Sequence, residues 1–252
     1  MKKGQVTVFI IISILIVFAG ILVFLLINPK NSSNLDKTSE ELQSLSREAQ
    51  SVRSFVSDCI DESIDSVLYE IGQHGGRFLA FPNSHSIDVN YVRIISGDIA
   101  PNLDEIEKEI SDYLETEIYL CAGNIIEFTQ VNVTAGEITS KIVINDDSIN
   151  FNIDYSINVR EFDTSSSFSE FNRINRNRLG LIYLLSEKMV RDFEESEDGS
   201  ICISCILSEG AKNDLFVDTV TLDEKTIFVV IRDPNYLIKD FSYEFKFLMM
   251  LK

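Results

Sequence analysis

Four cysteines are the residues of this chain best suited to covalent or metal chemistry: Cys59, Cys121, Cys202 and Cys205. Their even number is typical of disulfide-bonded proteins from oxidising compartments. A zinc site is less favoured, because structural zinc sites usually combine two close pairs and Cys59 and Cys121 lie 62 positions apart. A redox C-x-x-C motif would begin a helix, whereas the segment around Cys202 and Cys205, ICISCIL, is typical of a strand. We therefore expect disulfides.

The preferred pairing follows from the elements that carry the cysteines. Cys59 falls late in a predicted long helix and Cys121 at the end of a second one, so a bond between them would join two helices. Cys202 and Cys205 lie on opposite faces of an extended strand, and a bond between them would require a local bend. The first bond is predicted, and the second depends on that bend.

No other set of residues has the types and spacing of a catalytic site. His74 and His85 are the only histidines and have no partner at ligand spacing, so both are interpreted as loop residues. No Walker loop, G-x-S-x-G, H-E-x-x-H or dinucleotide fingerprint occurs. Asp61 and Asp65 are one helical turn apart on a predicted polar face, where solvated charges are expected. The sequence predicts no enzyme activity, no cofactor and no metal.

The chain is strongly acidic, with 22 basic and 40 acidic residues and a formal net charge of −18. A negative field of this size repels phosphate backbones. We therefore expect no nucleic-acid partner.

Residues 6–27, VTVFIIISILIVFAGILVFLLI, form a long apolar segment without a charged residue. As a helix they would extend roughly 33 Å, enough to cross a hydrocarbon core of about 30 Å. A removable signal peptide would have a shorter apolar core, of about 7–15 residues, and an A-x-A-like site after it. We predict one transmembrane helix, preceded by a short cytoplasmic tail at residues 1–5.

The rest of the chain is predicted to be extracytoplasmic. Lys2 and Lys3 favour a cytoplasmic N-terminus, and the cysteines suit an oxidising compartment. N-x-S/T sequons at Asn31 and Asn132 are compatible with glycosylation. The lipid bilayer is the predicted partner through residues 6–27, with a homo-oligomer or other surface proteins as further candidates.

Hydrophobic periodicity divides the part beyond the membrane segment. Residues 28–37 predict a polar linker, and residues 38–123 predict a mainly helical part. Apolar residues recur every three or four positions from Leu42 to Ile71, and again from Leu103 to Ile118 after a capping box. We expect the first apolar stripe to pack on the domain's own core, with a coiled coil to a neighbouring chain as the alternative.

Residues 124–252 predict a mainly β part, in which apolar and polar residues alternate. The predicted strands are Ile126–Val133, Ile138–Asn145, Ile149–Glu161, Ile201–Leu207, Leu215–Leu222, Thr226–Arg232 and Phe241–Leu251. A polar loop is expected at Asp163–Ser169 and a helix from Leu179 to Phe193. The predicted fold class is α+β: a single N-terminal transmembrane helix, a long amphipathic helix and shorter helices packed on antiparallel β-sheet. Whether the strands form one sheet or two is left open.

The segment Lys2-Lys3-Gly4-Gln5 before an apolar helix resembles the class III signal of archaeal type IV pilins. The resemblance implies cleavage by a prepilin peptidase between Gly4 and Gln5. The sequence departs from those pilins at Phe9, where they usually carry a glutamate, and we expect the N-terminus to be retained as a signal anchor.

Most of the chain is similar to uncharacterised single-pass membrane proteins of small-genome archaea. The similarity is carried by VRSFVSDCIDESIDSVLYEIGQHGG, PNLDEIEKEISDYL, RLGLIYLLSEKMV and IRDPNY, and it implies no activity. We predict a membrane-anchored extracytoplasmic structural or binding domain. The alternative is a type IV pilin-like filament subunit, and a weaker one is an enzyme with an unrecognised site.

Overall fold

The computed structural model describes residues 46–78, 93–94, 101–123, 131–195, 202–223 and 226–250. The chain divides into two compact units, Met1–Gln50 and Ser51–Lys252, and almost all of the described residues belong to the second. The described part has the predicted α+β class. Its elements in chain order are α1 (Arg47–Gln73), β1 (Arg93–Ile94), α2 (Leu103–Ala122), β2 (Asn132–Ile144), β3 (Ile149–Glu161), β4 (Thr164–Asn175), α3 (Leu179–Glu194), α4 (Ile203–Lys212), β5 (Phe216–Thr221), β6 (Thr226–Ile238) and β7 (Phe241–Met250).

The described strands form two sheets, which answers the question that the sequence left open. One sheet is the antiparallel meander β2-β3-β4, and the other has the order β1-β7-β6-β5. The second sheet is antiparallel except for β1, which pairs in parallel with β7. Each sheet buries the alternate apolar residues of its central strands, as the period of two predicts. Those residues are Ile149, Phe151, Ile153, Tyr155, Ile157 and Val159 in β3, and Phe245 and Phe247 in β7.

The apolar stripe of α1 packs on the domain's own core over its described length, as predicted. Its buried apolar residues are Ala49, Val52, Val56, Cys59, Ile60, Ile64, Val67, Leu68 and Ile71, each at most 3% exposed. A stripe with this little exposure has no surface left for a neighbouring helix. The alternative, a coiled coil with a neighbouring chain, is therefore excluded for the described part of α1.

Helix α2 is confirmed together with its capping box. The side chain of Asn102 accepts from the backbone N–H of Glu105, and the side chain of Glu105 accepts from the backbone of Asn102. About two helical turns apart, Glu107 and Glu115 accept hydrogen bonds of 2.7 Å from the backbone N–H groups of Ile144 and Ser140 respectively. These bonds satisfy donors along β2, the edge strand of its sheet, and so protect that edge from pairing with another chain.

The loop predicted at Asp163–Ser169 was wrong beyond Asp163, because Thr164–Ser169 forms the first half of β4. Its residues pair with β3 in register from Glu161 opposite Thr164 to Ile157 opposite Phe168. The segment is polar because only Phe168 of this stretch faces the core. An edge strand that is wet on one face tolerates serine and threonine, so polarity alone did not indicate a loop.

The strand predicted at Ile201–Leu207 was also wrong, because α4 begins at Ile203. Cys202 occupies the N-cap, and its sulfur accepts from the backbone N–H of Cys205. Only Ile206 and Gly210 of α4 are buried, four positions apart. Gly210 lies so close to Val217 that a side chain there would collide with β5. Burial of Ile206 and Gly210, which are spaced as on one face of a helix, therefore outweighs the strand preference of the isoleucines in this segment.

The end predicted at Arg232 for the strand that begins at Thr226 was a third error, because β6 continues to Ile238. The pairing of β6 with β7 shifts between Asp233 and Leu237, so a bulge absorbs Pro234 and its neighbours without ending the strand. The predicted tail at residues 1–5, transmembrane helix at residues 6–27, linker at residues 28–37 and beginning of the long helix lie outside the described residues. None of the helices in the described ranges is long and apolar enough to cross a membrane.

Candidate functional site

A groove of about 520 Å³ lies between the last turns of α1 and the β6-β7 hairpin. Its volume is within the range of small-molecule sites. The residues that line it are Tyr69, Gln73, Arg232, Ile238, Asp240, Phe241, Ser242, Tyr243, Glu244 and Lys246. They come from two distant parts of the sequence, which the fold brings together.

Strand alternation places the polar groups of the groove on one face of β7. Ser242, Glu244 and Lys246 alternate with residues that face the core, among them Phe245, which is fully buried. The hairpin is closed by Lys239 and Asp240, which both have positive φ, as a two-residue type I′ turn requires.

Glycine at position 72 allows α1 to end directly against β7. A Cβ at Gly72 would collide with the backbone carbonyl of Glu244 and lie 2.9 Å from the ring of Tyr243. The neighbouring side chain, Gln73, accepts a hydrogen bond of 2.7 Å from the Nζ of Lys246. The close approach at Gly72 therefore fixes one wall of the groove against the other.

The charged groups of the groove pair with one another. The carboxylate of Glu244 accepts a hydrogen bond of 3.0 Å from the Nε of Arg232 and lies 2.8 Å from the Nζ of Lys246. Arg232 also donates a hydrogen bond of 3.3 Å to the carboxylate of Asp218. Burial acts to raise the pKa of Glu244, but the hydrogen bonds from Lys246 and Arg232 outweigh it and keep the pKa below its ordinary value. Glu244 is therefore held as a carboxylate between two cations.

Aromatic side chains provide an apolar rim for these charges. Tyr69 is 49% exposed and Phe241 is 76% exposed, and both line the groove. A ligand that entered would meet ring surface and charges of both signs. This combination suits a small polar or zwitterionic molecule, or a polar peptide segment.

A buried ion pair is formed by Asp233, which follows the groove residue Arg232 in β6. Asp233 is fully buried, and its two carboxylate oxygens accept from the Nε and Nη2 of Arg178 at 2.8 and 2.6 Å. The same guanidinium donates to the backbone carbonyls of Asn213 and Asp214. Arg178 therefore ties the segment before α3 to β6 and to the turn before β5.

Two tyrosines continue this polar layer. Burial raises the pKa of Tyr236 to about 12, although the side-chain amide of Asn175 donates to its hydroxyl at 2.7 Å. Burial also raises the pKa of Tyr243, whose ring meets that of Tyr236 edge to face. The hydroxyl of Tyr243 is buried without a hydrogen-bond partner. Tyr243, which lines the groove, thus carries a buried and unsatisfied polar atom.

The predicted disulfide between Cys59 and Cys121 is present, with the two Cα atoms 5.7 Å apart. It joins α1 to the last turn of α2, as expected. Cys202 and Cys205 are also bonded, with Cα atoms 5.2 Å apart. The bend on which that bond depended is the first turn of α4, in which positions three apart lie on one side.

The other predicted site residues do not converge on the groove. Asn132 is exposed at the beginning of β2, so its side chain is accessible to glycosylation. His74 lies in the turn after α1, with its Nδ1 2.8 Å from the carbonyl of Glu70. Asp61 is bonded to Arg173 at 2.6 Å, so it is an ion-pair member rather than a free solvated charge. Gly4, Gln5, Asn31 and His85 lie outside the described residues.

No cluster of three potential metal ligands occurs within the described ranges. The groove residues do not stand out in the sequence, because none of them belongs to a recognisable motif in its own segment. The signal that was available is the alternation of Ser242, Glu244 and Lys246 with aromatic residues in β7.

Comparisons with known proteins identify no relative. No protein-family model, curated protein or solved structure shows significant similarity to this chain.

Proposed function

We propose that this protein is anchored in the membrane by residues 6–27 and presents an extracytoplasmic domain that acts by binding. The membrane anchor rests on the sequence alone. The single structural observation that carries the proposal is the disulfide between Cys59 and Cys121, which connects two core helices. Such a bond is typical of domains that fold in an oxidising compartment.

The groove is the surface that we assign to binding. It combines two cations, two carboxylates and two exposed aromatic rings in a chain whose overall charge is −18. Its charges neutralise one another, so a ligand that carries both signs can exchange partners with them without leaving an unpaired charge. We propose small zwitterionic molecules or polar peptide segments as the ligand class.

Protease treatment of intact cells tests the topology. The domain should be removed from the outside, while a cytoplasmic marker protein remains intact. Samples are reduced before electrophoresis, because the disulfides would otherwise hold cleaved fragments together. Full protection of the domain, in cells whose other surface proteins are digested, would contradict the proposal.

Ligand-induced stabilisation tests the binding assignment. Free amino acids and dipeptides serve as probes, and a ligand that binds only the folded state raises the unfolding temperature. At least one probe should stabilise the wild-type chain but not Lys246→Ala. Lys141→Ala, at an exposed position of β2 away from the groove, is the matched control and should respond like the wild type. Absence of stabilisation by every probe would reject this ligand class.

The alternative function is a pilin-like filament subunit, which the segment Lys2-Lys3-Gly4-Gln5 favours. It requires a mature chain that begins at Gln5 and filaments on the cell surface that disappear when the gene is deleted.

A further inference from the structure

The turn between β3 and β4 has an aromatic residue in a backbone conformation that disfavours it. Glu161 pairs with Thr164, so Phe162 and Asp163 are the two central residues of the hairpin turn. Phe162 has a φ of 47°, and glycine or asparagine is usual where such a turn requires positive φ. Among the four non-glycine residues with positive φ in the described ranges, Phe162 is the only apolar one.

The side chain of Phe162 is also the most exposed of the large apolar side chains in the described part of the chain, at 94%. Folding gains nothing from an exposed ring, and the positive φ adds strain. A bulky residue kept in a strained conformation points to a function that the fold itself does not require.

The position of this turn follows from the contacts between α1 and β4. The guanidinium of Arg53 lies 5.4 Å from the ring centroid of Phe168, and further along both elements Asp61 binds Arg173. Helix α1 and strand β4 therefore run in the same direction. At the other end of α1, Gln73 contacts Lys246 in the groove.

These contacts place Phe162 and the groove at opposite ends of the Ser51–Lys252 unit. The turn lies six residues before Phe168, or roughly 20 Å beyond it along β4. From Arg53 to Gln73, α1 extends about 30 Å in the other direction. The turn thus projects toward the end from which the chain enters this unit at Ser51.

We propose that Phe162 inserts into the surface of the bilayer in which the chain's own N-terminal segment is anchored. The inference rests on the proposed membrane anchor. The chain passes from the apolar segment at residues 6–27 into this unit at Ser51, and the exposed ring lies at the same end. Aromatic side chains are favoured at the membrane interface, where the water around the ring is released.

The neighbours of Phe162 fit a shallow contact with lipid headgroups. Arg160, Asp163 and Thr164 are all exposed and polar. They match a polar headgroup layer, while the single ring reaches below it.

Tryptophan fluorescence tests the contact, because the chain contains no tryptophan of its own. The full-length variants Phe162→Trp and Phe241→Trp each carry one reporter, at the turn and at the groove respectively. Both are reconstituted into phosphatidylcholine vesicles, with and without lipid brominated close to the headgroup. The Phe162→Trp emission should move to shorter wavelength and lose intensity with brominated lipid, whereas Phe241→Trp should show neither change.

Flotation of the vesicles separates the possible failures. If the chain does not float with the vesicles, the proposed membrane anchor and the lipid contact are both overturned. If it floats and brominated lipid leaves the Phe162→Trp emission unchanged, only the lipid contact is overturned. A shift to shorter wavelength without quenching by brominated lipid would assign the ring to a protein contact instead. Circular dichroism of each variant confirms that it is folded.

Discussion

Residues that form ion pairs in this domain differ widely in how much they contribute to stability, and the difference depends on their burial. Asp233 and Asp61 both form ion pairs with an arginine at 2.6 Å. The side chain of Asp233 is fully buried, whereas that of Asp61 is 56% exposed. An exposed ion pair contributes little to stability, because water solvates the separated ions almost as well as they stabilise each other. Removing one partner of a buried pair leaves the other charge buried and uncompensated.

We therefore predict that Asp233→Ala lowers the free energy of unfolding by roughly 3 kcal/mol or more. Loss of the Asp233 carboxylate leaves the guanidinium of Arg178 without its partner. It also removes the acceptor of the hydrogen bond that the backbone N–H of Asn235 donates to Asp233. The matched control, Asp61→Ala, should cost at most about 1 kcal/mol. Urea unfolding followed by circular dichroism measures both. Equal losses in the two variants would contradict the prediction.

The pKa of Tyr236 predicts how stability depends on alkaline pH. Its hydroxyl keeps its proton in the folded chain up to a pKa of about 12, because burial disfavours the phenolate. In the unfolded chain the group loses its proton near its ordinary pKa of about 10. Between these values the unfolded state binds fewer protons, so stability falls as pH rises.

Tyr236→Phe should therefore show a smaller loss of stability between about pH 10 and 12 than the wild type. At neutral pH the variant should be somewhat less stable, because the side chain of Asn175 loses its acceptor. Urea unfolding at a series of pH values gives both results. If stability falls with pH equally steeply above pH 10 in Tyr236→Phe and in the wild type, burial of Tyr236 does not control the pH dependence of stability.

At the scale of elements, the two disulfides differ in the length of chain that they close. The bond between Cys59 and Cys121 spans 62 positions and joins α1 to α2, whereas Cys202 and Cys205 lie three positions apart within one turn. A longer closed loop removes more conformations from the unfolded chain.

Replacing Cys59 and Cys121 together by alanine should cost roughly 4 kcal/mol, and replacing Cys202 and Cys205 about 2 kcal/mol, on the chain-entropy estimate. Thermal unfolding of each double variant beside the wild type measures the losses. A smaller effect at the pair of Cys59 and Cys121 would indicate that α1 and α2 remain close in the unfolded chain.

For the whole molecule, the open question is whether the N-terminus is retained. We predict that it is, because Phe9 replaces the glutamate usual in the pilins that the first residues resemble. The intact mass of the protein from its native membrane should then include residues 1–4. Gly4→Val, which would block a prepilin peptidase, should leave processing unchanged. A wild-type mass that begins at Gln5 would favour the filament subunit instead.

The sequence by itself determined the features that depend on local periodicity. The described parts of α1 and α2, the helix α3, the strand β3 and the part of β2 from Ile138 follow from apolar spacing, and the bond between Cys59 and Cys121 was predicted from the helices that carry them. Such patterns can be recognised because each element buries one face. Apolar residues on that face recur every three or four positions in a helix and every two positions in a strand. The separation predicted between strands Ile126–Val133 and Ile138–Asn145 was wrong, because β2 is continuous from Asn132 to Ile144.

The tertiary structure alone decided the features in which distant segments meet. Segment 164–169 is a strand because β3 supplies its partner, and the segment after Cys202 is a helix because Gly210 packs against Val217. The groove exists only where Gly72 allows the end of α1 to meet β7. In each case long-range contacts outweigh a local preference of at most about 1 kcal/mol per residue, and those contacts leave no periodic trace in the sequence.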